Sequence, residues 1–182
     1  MSAVRPPERT APGMTGVWTG IAAILMTFAA LVSALVVRQG DGGDWRHFQL
    51  PPILIANTLV LMASSVVLWV GAHEPEARPA RARAALALAL VLGLGFVAGQ
   101  LIAWRDLAAQ GVYLATGPSG AFFFVFTALH AIHLLGGIAG LVYARRRLVA
   151  GIPGRTVDAA VTYWHFMGAL WIGLLLTLAV SL

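Results

Sequence analysis

The chain has 182 residues, 59% of them hydrophobic and only 10% charged, with a formal net charge of +5. Ordinary globular domains carry about 25% charged residues, so a water-soluble protein has nowhere to put this much apolar surface, and the chain reads as an integral membrane protein. It contains no cysteine, which excludes disulfides, thiolate metal sites and iron–sulfur clusters. The basic residues are all arginine and lie scattered among the polar connections. That scatter points to membrane topology and not to a nucleic-acid partner, while the exclusive use of arginine reflects base composition.

A bilayer-crossing helix needs roughly 20 mostly apolar residues. Residues 1–13, MSAVRPPERTAPG, are rich in Pro and Arg and read as a disordered N-terminal tail ahead of one membrane domain over residues 14–182. The first span runs from about Met14 to Val37 and is closed by Arg38. It is longer than a signal-peptide core of about 7–15 residues, and no cleavage site follows, so it is expected to stay in the mature protein. The loop Gln39–Phe48 is rich in Gly and Asp and reads as a turn-forming connection. The second span runs from Pro52 to Ala72, with Pro51 and Pro52 suited to a helix start. The third covers Ala84 to Trp104. The stretch Arg105 to Pro118 is too short and polar to cross, and reads as a short surface helix and turn with Leu107, Val112 and Leu114 resting at the interface. The fourth span covers Gly120 to Tyr143 and the fifth Ala159 to Leu182. The predicted fold class is therefore all-α, an integral membrane bundle of five transmembrane helices.

Charge then orients the bundle. The tail carries Arg5 and Arg9, the second connection Arg78, Arg81 and Arg83, and the fourth Arg145, Arg146, Arg147 and Arg155. With five spans these regions share one side, and the other side keeps Arg38, Arg46 and Arg105. The positive-inside rule makes the N-terminus cytoplasmic and the C-terminus periplasmic. Trp18, Trp45, Trp69, Trp104 and Tyr143 lie near span ends, as an aromatic belt would.

Small residues recur within the spans: Ala22, Ala23, Ala29, Ala30 and Ala34 in the first, a GxxxG of Gly95 and Gly99 in the third, and another of Gly136 and Gly140 in the fourth. Inside lipid, helices associate through close backbone packing at such residues. Asn57, Ser64, Ser65, Gln100 and Thr127 are intramembrane polar groups suited to bonds between helices.

Three histidines lie within the last two spans, and all seven Asp and Glu lie outside the apolar segments. His130 and His133 stand at i and i+3 on one helix face. Three readings of these residues stand side by side. A bis-histidine haem needs two ligands at similar depth. At about 1.5 Å per residue, His133 lies roughly 15 Å and His165 roughly 9 Å from the inner ends of their spans, so His133 pairs better than His130. A metal site of His130, His133 and His165 suits zinc or copper but has no carboxylate to fix the tautomers. Proton relay ranks below these readings, because no span supplies an acidic partner. In the third reading each imidazole is structural and bonds a neighbouring helix, a water or a lipid headgroup.

The residues then become more specific together than singly. The run Gly117 to Tyr143, GPSGAFFFVFTALHAIHLLGGIAGLVY, resembles the penultimate helix of subunit III of the haem–copper terminal oxidases, the cytochrome c oxidase subunit 3 family. That family has an aromatic run followed by T-G-x-H-x-x-H-x-x-x-G, and Thr127, His130, His133 and Gly137 stand at its places, with Ala128 for the usual Gly. YWHFMGALW, Tyr163 to Trp171, is similar to the family's last-helix Y-W-H-F-x-x-x-x-W. NTLVLMASS, Asn57 to Ser65, is similar to its N-T-x-x-L-x-x-S-S, and LGLGFVAGQLIAW, Leu92 to Trp104, matches the helix between. The resemblance covers residues 14–180 in order, with the short five-helix bacterial form. It departs where the family often has acids, at Ile24, Ala103 and Gly168, so a proton-handling carboxylate is not carried over.

The resemblance implies an accessory subunit of an aerobic terminal oxidase, most simply a cytochrome c oxidase, that reduces oxygen to water with proton pumping. It implies no catalytic, cofactor-binding or metal-binding residue in this chain, which alone is non-catalytic; haem and copper belong to partner subunits I and II. Subunit I is the main implied contact, with subunit II, other respiratory-complex subunits and bound phospholipid beside it, in a bacterial inner membrane. Asn57, Gln100, His130, His133, Tyr163, Trp164, His165 and Trp171 are the implied packing and lipid contacts. The matching subunit of a quinol oxidase, the relative beside nitric-oxide reductase, and a stand-alone b-type haem protein using His133 and His165 are the alternatives.

Overall fold

The computed structural model describes residues 12–41, 43–151 and 155–182. Five helices follow one another: α1 (Pro12–Asp41), α2 (Ile53–Gly71), α3 (Pro79–Ala109), α4 (Pro118–Val149) and α5 (Arg155–Ser181). All five are long and apolar enough to cross a membrane, and no strand occurs among the described residues. The chain is thus a multi-pass, all-helical membrane protein. Of the expected tail 1–13, residues 1–11 lie outside the described residues, and Pro12 already opens α1.

The helix ends follow from local chemistry. Pro79 and Pro118 open α3 and α4, where a missing N–H costs nothing and the fixed φ suits the first turn. At the end of α3, Gly111 adopts φ 78°, a left-handed conformation that glycine enters freely. Its N–H bonds Ala108 O at 3.0 Å and Val112 N–H bonds Leu107 O at 3.0 Å, a paired closure of the last turn. Gly151, with φ 75°, ends α4 in the same way.

One expected element is different. Arg105 to Ala109 is not a separate surface helix but the last turn and a half of α3. Leu107 causes this: it is fully buried with the core residues of α3, so the helix continues until Gly111 can turn the chain. Val112 is half-buried and Leu114 exposed. At 32 residues and about 1.5 Å per residue, α4 outruns a hydrocarbon layer of about 30 Å. Its last turn accordingly carries Arg146 and Arg147.

Helices α2, α3, α4 and α5 form a closed ring in which each touches the next and α5 returns to α2, while α1 leans on α4 and α5 from outside. The buried core holds Phe96, Phe123, Phe126, Trp164, Met167 and Trp171, all without solvent exposure, with Phe126 stacked on Phe28 of α1 at 6.3 Å. Helix α1 adds Ile24, Phe28 and Leu35 to this core. Its alanines, Ala22, Ala23, Ala29, Ala30 and Ala34, are instead exposed. Within this chain the bulky residues of α1 make the internal contacts and the small ones face outward.

The connection after α1 folds over the end of α5. Trp45 Nε1–H donates to Ser181 O at 2.9 Å, Gln39 Nε2 to the same oxygen at 3.3 Å, and His47 Nδ1 meets Leu182 O at 2.9 Å. Helix C-terminal carbonyls have no partner of their own, so the loop satisfies them. Arg38 fixes the loop in turn through Asp44, with NH2 to Oδ2 at 2.7 Å. That bond holds the exposed Asp44 carboxyl below its ordinary value.

Candidate functional site

Helices in lipid are joined by shape and by hydrogen bonds, because burial away from water drives nothing between them. The ring uses one device three times: an indole N–H donates to a hydroxyl on the next helix. Trp164 Nε1 donates to Ser64 Oγ at 2.9 Å, Trp171 Nε1 to Thr58 Oγ1 at 2.9 Å, and Trp104 Nε1 to Thr127 Oγ1 at 3.0 Å. Each hydroxyl passes its own proton down its helix, Ser64 to Leu61 O, Thr58 to Leu54 O and Thr127 to Phe123 O. Donor and acceptor capacity is thereby used at both ends of each join.

Two of the sequence-predicted tryptophans thus lie at the heart of the ring. Trp164 is sandwiched between the helices as well as bonded. A Cβ at Gly93 of α3 would stand 2.6 Å from its ring and one at Gly137 of α4 would stand 3.2 Å away. Trp171 meets Phe96 edge-on at 4.9 Å between centroids and lies 4.9 Å from the His130 ring. Such aromatic pairs contribute about 0.5–1.5 kcal/mol beyond their burial.

The histidines separate. His130 is fully buried, between Phe96 of α3 and Trp171 of α5. His133 is half-buried and turns to α1, where its ring lies 6.0 Å from Phe28. The two therefore do not share a working face: three residues of helix rotate them towards different neighbours. His133 Nδ1 lies 2.7 Å from Leu129 O; a carbonyl only accepts, so Nδ1 carries the proton. The His133 carbonyl in turn accepts Tyr163 O–H at 3.1 Å, tying α5 to α4. His165 is half-buried on α5. Among the described residues, no group of three or more His, Asp or Glu comes together to hold a metal ion.

Asn57 and Gln100 are both buried. The Asn57 amide lies against the backbone at Gly99, where a Cβ would collide with it. Glycine at 99 is what lets α2 and α3 approach there. The expected GxxxG pair of α3 does face α2, since a Cβ at Gly95 would stand 4.0 Å from Val60 Cγ1 while Gly99 meets Asn57; in the α4 pair a Cβ at Gly136 would stand 4.0 Å from Tyr163 Oη. Gly140 has open space beside it, while Gly93, Gly137 and Gly168 meet side chains from other helices. The three positions without the family's acids are all buried: Ile24, Ala103 and Gly168. A Cβ at Gly168 would stand 3.0 Å from Met62 Cε and 3.3 Å from Ser65 Oγ, so the space of a longer side chain is already taken.

Thr58 and Trp104 were the residues that sequence pattern did not assign to a join. Trp104 reads as a belt residue because it ends an apolar run. In the structure α3 continues past it and its indole reaches Thr127 of α4. Trp18, Trp69 and Tyr143 are exposed, as belt residues are. Trp45 bonds the end of α5 instead.

A family model described as cytochrome c oxidase subunit III matches residues 21–180. The cytochrome c oxidase subunit 3 of Corynebacterium diphtheriae is 30% identical over 94% of this chain and 92% of its own length. The probable cytochrome c oxidase subunit 3 of Nocardia farcinica is 30% identical over 92% and 88%. The cytochrome c oxidase subunit 3 of Gallus gallus is 29% identical over 80% of this chain, and that match spans 59% of the longer bird protein.

Proposed function

The chain belongs to the cytochrome c oxidase subunit III family, and from that premise we propose that it supports the redox subunits of an aerobic oxidase while transferring no electrons itself. Family membership makes it a component of a membrane oxidoreductase complex. The observation that carries the reading is the extent of the match, which takes in the core of every helix. The ring chemistry supports it: indoles, hydroxyls and a phenol are engaged in joining helices.

In this reading haem and copper reside in subunits I and II, cytochrome c is the electron donor, and subunit I is the main contact. The open alanine face of α1 suits a closely packed neighbouring helix. The apolar groove between α1 and α5, lined by Phe28, Val32, Phe166, Leu170 and Leu174, suits a phospholipid acyl chain. The arginine distribution supports a cytoplasmic N-terminus and a C-terminus on the periplasmic side of a bacterial inner membrane.

The test is to tag the chain, extract it mildly from its own membrane and record a reduced-minus-oxidised spectrum before and after stripping partners. A large haem protein should co-purify, and its bands should leave with it. Haem bands that stay with the isolated chain would establish the stand-alone haem reading instead. Oxidation of quinol but not cytochrome c by the complex would move the donor assignment.

A further inference from the structure

Asn57, Gln100 and His130 are 4%, 1% and 0% exposed. Among the described residues, no group hydrogen-bonds to Asn57 Nδ2, to either end of the Gln100 amide, or to either nitrogen of His130. Buried polar groups without partners are uncommon, and each needs a physical account. Contacts of neighbouring residues relate these three positions. Phe96 lies one turn before Gln100 on the same face of α3, and its ring is 5.8 Å from His130. Trp104 lies one turn after Gln100 and donates to Thr127, three residues before His130. Gln100 therefore faces the turn of α4 that holds His130. On the other flank the Asn57 amide rests on Gly99, beside Gln100. Its neighbour Thr58 holds Trp171, whose ring lies 4.9 Å from His130. The unsatisfied groups thus belong to three helices whose neighbouring residues touch one another.

We infer that Asn57, Gln100 and His130 form a binding site for water inside the helix ring. The donor–acceptor inventory decides the ligand class. The Asn57 and Gln100 NH2 groups only donate, Gln100 Oε1 only accepts, and a neutral imidazole brings one donor and one acceptor. A cation would face the amide hydrogens, and an anion would face Oε1 and the imidazole lone pair. No charged side chain stands between residues 53 and 71, 84 and 104, 120 and 143, or 159 and 180 to offset either. Water both donates and accepts, and buried waters typically make about three hydrogen bonds to such groups. Bound there, it links α2, α3 and α4 through the side chains that the indole–hydroxyl joins leave unused. The inference stands apart from the role in the oxidase.

The test uses the intact complex containing this chain. A structure fine enough to show ordered water should place density at hydrogen-bonding distance, about 2.7–3.2 Å, from both the Gln100 amide and a His130 nitrogen. A dry site, or a direct Gln100–His130 bond with nothing between, overturns the inference. Separately, Gln100→Met and His130→Phe, singly and together, are compared by the thermal midpoint for loss of this chain from the complex. Each single change strands partners of the same water, so the double change should lower the midpoint by less than the two single losses added. Additive losses count against a shared water.

Discussion

Replacing Gly93 by alanine should loosen the bundle, and the size of the effect follows from Trp164. The added Cβ would stand 2.6 Å from Cη2 and 3.0 Å from Cζ2 of that indole. The ring has little room to retreat. Its Nε1–H is bonded to Ser64 at 2.9 Å, and on α4 a Cβ at Gly137 would already come within 3.2 Å of Cε3. Overpacking of this kind costs about 1–3 kcal/mol, against which alanine's better helix propensity returns about 0.8–1 kcal/mol. The net expectation is a loss of about 1 kcal/mol, and up to about 2 kcal/mol if the indole bond also breaks. Gly140 is the control, because nothing lies within 4 Å of a Cβ there. Its replacement by alanine should gain up to about 1 kcal/mol from propensity alone. Equilibrium unfolding in mixed micelles, followed by helicity, measures both. Adding Trp164→Phe shortens the clashing ring, so the Gly93→Ala cost should shrink by at least about 0.5 kcal/mol in the double variant. Equal effects at 93 and 140, or strict additivity with Trp164→Phe, would refute the packing argument.

Thr58→Val removes the acceptor of the Trp171 indole while keeping the side-chain shape, and should cost about 0.6–1.7 kcal/mol by the same unfolding assay. Asp44 sets a pH dependence for the loop after α1. Its hydrogen bond from Arg38 first, and their charge attraction as well, hold its carboxyl below the ordinary value of 3.8. A depressed carboxylate adds stability that is complete above the unfolded value and is lost as pH falls through the lower folded one. Exchange of the Trp45 indole N–H, which the loop holds on Ser181 O, should therefore rise below about pH 4 once corrected for its intrinsic rate, whereas Asp44→Asn should exchange fast throughout. Single cysteines placed at Arg46 and Arg146 of this cysteine-free chain should react with an impermeant thiol reagent from opposite sides. Labelling of 46 from the cytoplasmic side would reverse the proposed orientation.

Much of this architecture was legible because membrane helices write their length and apolarity directly into the sequence. All five spans lie where the apolar runs lie, and errors gather at the ends. There an exposed-looking stretch such as Arg105–Ala109 continues a helix because of one inward leucine, Leu107. Facing was harder to read. The alanines of α1 match the helix-packing pattern yet look outward, since small size permits a close neighbour without supplying one. Gly137 stood out as a motif glycine, but its close approach to Trp164 and Tyr163, tighter than that of Gly136 or Gly140, could not be read from spacing. His130 and His133 looked paired by spacing, but about 60° of helix rotation per such step was enough to give them different neighbours.

The polar residues of the ring divide by what surrounds them more than by type. Ser64, Thr58 and Thr127 are each matched to one indole, and each returns its own proton to its own helix. Such residues give register without any need for water. Asn57, Gln100 and His130 carry more hydrogen-bonding capacity than their neighbours Phe96, Gly99 and Trp171 can use. An apolar side chain of similar shape would pack there without that cost, so their presence beside a fully matched set argues for a partner that is not part of the chain. The histidine that first suggests a metal thus differs from its neighbours by an unfilled hydrogen-bonding requirement, and the mixed donors and acceptors around it match water better than any ion.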